Sequence, residues 1–76
     1  MKDKIKKTMS NVFDIPEDSI LEETSPHDIE NWDSLTHMNL ISALEEEFNL
    51  SFDDDEVETL INFKVICATV EAHLEN

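Results

Sequence analysis

From Ile5 to Phe13 the apolar positions are Ile5, Met9, Val12 and Phe13, offsets of four, seven and eight that line one face of an amphipathic helix. This helix should end before Pro16, because a residue preceding proline avoids helical geometry. Residues 14 to 33, "DIPEDSILEETSPHDIENWD", contain both prolines and no sustained period. They read as a long ordered loop pinned by Ile15, Ile20, Leu21, Ile29 and Trp32, and loops of this length in a small domain tend to be functional. In "DSLTHMNLISALEEEFNL" the stripe Leu40, Ile41, Leu44 and Phe48 predicts a second helix, while Leu35 and Met38 drift onto a neighbouring face. Either Asp33 or Ser34 can cap it, and with no glycine in the chain Asn49 is the expected left-handed terminator. "SFDDDEVETLI" predicts a short helix capped by Asp53 or Asp54, acidic in its first turn, with Val57, Leu60 and Ile61 inward. "NFKVICATVEAHLEN" places Phe63, Ile66, Cys67, Val70 and Leu74 on one stripe of a last helix. The pattern predicts an all-α four-helix bundle, the third helix short, with a long loop after the first.

Composition narrows the partners. At 76 residues the chain has room for one domain, spanning 1–76, and one modest core. A single cysteine allows no internal disulfide, which favours a reducing compartment. No apolar run reaches the length of a membrane span, and "MKDKIKKTMSNVF" lacks the continuous apolar segment of a secretory signal. The expectation is a soluble, cytoplasmic monomer. Formal net charge is -14, and residues 8 to 76 set 18 acids against Lys64 alone, a local net of -17. Such a surface repels nucleic acid and anionic membranes and favours partners with basic patches.

Candidate chemistry is sparse. Ser34 opens a helix, where it either caps the backbone or presents a hydroxyl among free N–H groups, near the positive end of the dipole. Asp33, Ser34 and His37 contain the residue types of a hydrolytic triad, but without a glycine there is no tight strand-to-helix turn and no obvious oxyanion hole. His37 reads instead as a partly exposed helix residue. The run "DDDE" at 53–56 lacks the alternation and central glycine of a calcium loop. The histidines His27, His37 and His73 and the lone Cys67 lack zinc-ligand spacing, and Cys67 reads as a small buried hydrophobe. Trp32 either covers the loop against the bundle or flanks a ligand.

"DSL" opening a helix, with "LEEEF" beginning ten residues after the serine, resembles the acyl carrier proteins. The acidic proline-containing loop before it and the short acidic helix after it are similar too, so the resemblance spans essentially the whole chain. It implies a non-catalytic carrier whose Ser34 receives 4'-phosphopantetheine from coenzyme A, through a phosphopantetheinyl transferase that generally uses magnesium. The arm's thiol then holds an acyl group as a thioester. The helix starting at Ser34 matches the family's recognition helix, which implies partner contacts at Asp33, Leu35, Met38, Glu45 and Glu46, extended by Asp55 and Glu58. The implied partners are acyl-loading and acyl-processing enzymes with basic docking patches, met in turn and released. Met38 suits a surface that accepts more than one partner.

The chain departs from the fatty-acid carriers in three places. Asn31 and Trp32 stand where a small pair is usual before "DSL", Thr36 stands where an acid commonly follows, and Ser42 replaces an apolar surface residue. These leave arm attachment intact and favour a specialised pathway in polysaccharide, lipid or secondary-metabolite synthesis over bulk fatty-acid synthesis. Two alternatives remain. One is a discrete peptidyl carrier, whose family typically shows glycines around its serine. The other is an acidic helical adaptor with no covalent group, in which Ser34 is only a cap.

Overall fold

The computed structural model describes residues 1–75. Among the described residues it is all-helical, in the order α1 (Lys2–Phe13), a 3-10 turn (Glu17–Ser19), α2 (Ser34–Phe48), α3 (Asp54–Thr59) and α4 (Phe63–Glu75). The four expected helices are present, and the third is the short one. None is long and apolar enough to cross a membrane.

The first helix buries Ile5, Met9 and Phe13 and stops at Asp14, whose left-handed backbone directs its N–H to the Ser10 carbonyl. The second ends the same way at Asn49, as expected, with its N–H on the Glu45 carbonyl. In a chain without glycine, aspartate and asparagine take the two positive-φ positions, because a short polar side chain tolerates that geometry best. The core joins Ile5, Met9 and Phe13 to Leu40, Ile41 and Leu44 of α2 and to Phe63, Ile66, Cys67 and Val70 of α4. Ile20, Ile29, Trp32 and Leu60 close it from the connecting segments. Fully burying each large aliphatic or aromatic side chain contributes roughly 1.5–3 kcal/mol.

The long loop is pinned somewhat differently from the expectation. Ile20, Ile29 and Trp32 are buried, but Leu21 is exposed and Thr24 is buried in its place. The cause is a turn in which the Leu21 N–H donates to Thr24 Oγ1 at 2.7 Å and the Thr24 N–H donates back to the Leu21 carbonyl at 3.0 Å. That turn also serves α4. The Phe63 and Lys64 N–H groups donate to the carbonyls of Thr24 and Glu22 at 3.1 and 2.9 Å, while Asn62 Oδ1 accepts from Val65 N at 2.8 Å. The orphan donors that begin every helix are thus satisfied by loop carbonyls and one cap.

Two residues expected to face inward do not. Leu74 stays exposed in the last turn of α4, one turn beyond Val70, the final core residue of that helix. Ile61 is 57% exposed. Helix α3 has already ended at Thr59, and the Ile61 N–H turns back to the Thr59 carbonyl at 2.8 Å. Leu60 sits at the centre of this tight turn with φ -81 and ψ 66, inverse γ geometry that drives Leu60 into the core and Ile61 out.

Candidate functional site

Asp33 and Thr36 organise the start of α2 between them. The Thr36 N–H donates to Asp33 Oδ1 at 3.0 Å, and the Asp33 N–H donates to Thr36 Oγ1 at 2.9 Å, a reciprocal capping box. The Thr36 hydroxyl in turn donates to the Asn31 carbonyl, which ties the box to the loop. Asn31 Nδ2 reaches the Phe13 carbonyl at 3.1 Å and fixes the loop to the end of α1. The backbone N–H of Thr36 is the main reason the Asp33 carboxyl is held below the usual aspartate range. Of the two possible caps, Asp33 is therefore the cap, and Ser34, the first residue of the helix, is exposed and not needed for capping. The Asp33 carboxylate also takes the anion-favouring place at the helix start.

Ser34 opens onto a cleft of about 420 Å³ between the start of α2 and the end of α3, lined also by Pro26, Trp32, Asp33, His37, Glu58, Leu60 and Ile61. Trp32 and His37 lie together in it, with ring centroids 6.1 Å apart and planes 21° from parallel. On its other side Trp32 packs against Phe13 at 4.9 Å. Trp32 Nε1–H donates to His37 Nδ1 at 2.9 Å, so the imidazole proton sits on Nε2, which donates to the Val57 carbonyl at 2.8 Å. That carbonyl lies in the last turn of α3, where carbonyls lack partners within the helix. His37 is therefore half-buried and bonded at both nitrogens, a bridge from α2 to α3 rather than a base for Ser34. A Ser–His hydrolase is excluded on this geometry.

The other expected contact residues surround the cleft on two elements. Leu35 and Met38 are 73% and 52% exposed, large apolar side chains in the first turns of α2 next to Ser34. Ile61 faces solvent across the cleft from Ser34, an apolar wall that helical periodicity had assigned to the interior. Glu58 lines the cleft, Asp55 lies exposed in the first turn of α3, and Glu46 is exposed further along α2. Glu45 is half-buried, and its Oε2 accepts the Phe52 N–H at 2.9 Å, tying α2 to the segment before α3. Periodicity gave no signal for Pro26 or the Trp32–His37–Val57 bridge, whereas Leu60 is buried as expected. The one available cue was the closeness in sequence of an indole donor and an imidazole acceptor.

What the site offers is an exposed hydroxyl on a rigidly capped helix start, beside an apolar cleft and rimmed by carboxylates. These features fit a tethered cofactor: the hydroxyl is accessible to a transferring enzyme, and the cap does not depend on it. The family described as "Phosphopantetheine attachment site" matches residues 3–70. An acyl carrier protein of Buchnera aphidicola subsp. Schizaphis graminum is 40% identical over 57 residues, covering 75% of this chain and 72% of that protein. The solution structure of a holo acyl carrier protein from Geobacter metallireducens aligns with a TM-score of 0.88 at 35% identity, over 97% of this chain and 85% of that one. An adaptor without a covalent group is thereby set aside. The arm supplies the thiol that carries cargo, and every catalytic step belongs to partner enzymes. Fold, site and relatives agree: the chain belongs to the acyl carrier protein family, as a non-catalytic carrier with a covalent 4'-phosphopantetheine arm that acts with a phosphopantetheinyl transferase and acyl-processing enzymes.

Proposed function

We propose that the arm is attached to Ser34 Oγ, and that this carrier presents short or otherwise unusual acyl intermediates to the enzymes of a specialised biosynthetic pathway in the cytoplasm. The observation that carries this reading is the exposed Ser34 at the first position of α2, relieved of the capping role by Asp33 and Thr36. Trp32, where fatty-acid carriers usually have a small residue, supports a dedicated cargo, because it forms a bulky wall of the cleft beside the attachment point. The single domain works as a monomer. Leu35 and Met38 form the apolar centre of its docking face, with Asp33, Glu45, Glu46, Asp55 and Glu58 as the acidic surround that meets basic patches on partners.

The test is an intact-mass measurement after incubation with coenzyme A, magnesium and a broad-specificity transferase. The expected result is one added arm on the parent chain and none on Ser34→Ala. An arm that persists on Ser34→Ala would move the attachment point elsewhere.

A further inference from the structure

The cleft beside Ser34 and the core behind it are separated by one hydrogen-bonded unit. On the outer side are Ser34, Glu58 and the exposed Ile61. On the inner side are Phe13, Leu40, Leu44 and Ile66, all 0% exposed. Between them lie the Trp32 indole and the His37 imidazole, nearly coplanar and joined edge to edge at 2.9 Å, with His37 held to the Val57 carbonyl of α3 at 2.8 Å. Trp32 is itself only 5% exposed and is backed by Phe13.

An apolar tail held on the thiol of an arm rooted at Ser34, once that arm folds back along the protein, reduces its contact with water in one of two ways. It either lies in the outer cleft or pushes between α2 and α3 into the core. The second route must part the His37–Val57 bond or the Trp32–His37 bond. That would leave an indole N–H, an imidazole nitrogen and a carbonyl unpaired among apolar side chains, the costly form of polar burial. The outer cleft demands no such break, but it is open and holds only about 420 Å³.

We propose that the Trp32–His37–Val57 bridge acts as a length filter, closing the interval between α2 and α3 to the cargo and confining it to the outer cleft. Short acyl groups are then sheltered by Trp32, Leu60 and Ile61, and the tail of a long one is left in solvent. His37 is a positioning residue here, acting through Trp32 and α3 rather than on the thioester. This inference rests on attachment at Ser34.

The experiment loads the full chain with acyl arms from acetyl to dodecanoyl, using the transferase and the matching acyl-coenzyme A thioesters. Each product is verified by intact mass, and its Tm and the NMR contacts of the cargo's terminal methyl are measured. In the parent chain Tm should rise across the shortest acyl groups and then level off, with no contact from a dodecanoyl methyl to Leu44 or Ile66. In His37→Ala the rise should continue with length, and those contacts should appear. Trp32→Phe keeps an aromatic ring against Phe13 but removes the indole donor along with part of the ring's bulk; it should shift the levelling point to longer chains, and it decides the matter if His37→Ala fails to fold. Contacts from dodecanoyl to Leu44 or Ile66 in the parent chain, or length profiles unchanged by either variant, overturn the filter alone. If no arm is added to Ser34, the attachment reading fails and the filter falls with it.

Discussion

Helix α2 carries its own anchors, Leu40, Ile41 and Leu44, whereas α3 buries no residue between Asp54 and Thr59. The shorter helix is held by groups outside itself. His37 of α2 bonds to the Val57 carbonyl, His73 of α4 brings Nε2 within 3.0 Å of both Glu56 carboxylate oxygens, and Leu60 plugs into the core just past its end. Isolated helices of this length are unstable in water, so the six residues of α3 depend on these ties. The difference teaches that the two walls of the cleft differ in kind. The wall bearing Ser34 is part of the core, and the wall bearing Glu58 is attached to it by a few side-chain bonds.

This contrast can be broken first at α2. Leu44→Ala should lower global stability by about 2–5 kcal/mol, because it empties a fully buried site in the middle of the core. Urea denaturation measures the loss, and amide exchange should accelerate throughout the bundle. Next comes the bridge. His37→Ala leaves the Trp32 indole and the Val57 carbonyl without partners and should cost about 1–3 kcal/mol. Its signature is local, with α3 amides exchanging faster while α1 and α4 keep most of their protection.

A pH titration sharpens the comparison from the other end of α3. Glu56 accepts the Asp53 N–H at 2.9 Å and pairs with His73, and these two contacts hold its carboxyl below the usual glutamate range. Because the folded value is depressed, the stability this group adds is complete above the unfolded value and is lost as pH falls through the folded one. Acidification below the usual glutamate range should therefore loosen α3 amides before those of α2. Glu56→Gln should remove that part of the pH dependence. The smallest stability change is expected at the exposed docking face. Met38→Glu should stay within about 0.5 kcal/mol of the parent chain by urea denaturation, while slowing cargo transfer to a partner enzyme. A stability loss like that of Leu44→Ala would remove Met38 from the docking face.

The same contrast governs how much could be read from the chain alone. The first, second and fourth helices were legible because each buries a stripe of its own residues, and Asn49 was legible because no glycine competes for its place. The exposure of Leu35 and Met38 follows from the same helical register, whereas the register left the cap open between Asp33 and Ser34, and the hydrogen bonds with Thr36 give it to Asp33. Ile61 was misplaced because the helical period was extended past Thr59, where a γ-turn had already replaced it. Thr24, Asn62 and the Trp32–His37 pair were missed for another reason. Their positions are set by individual hydrogen bonds between loop and helix, and such bonds leave no repeating mark in a sequence. Thr36 looked like a departure from the carrier pattern, yet it completes the box that frees Ser34.

Cys67 sits on the core side of α4, and burial raises its thiol to about 11. A thioester is vulnerable to any sulfur anion that can reach it, since acyl groups pass readily between thiols. At neutral pH this sulfur stays almost wholly protonated and buried, so Cys67 is not a nucleophile able to strip the cargo. The activated acyl group thus remains available to partner enzymes, in a chain whose own cysteine is kept chemically silent.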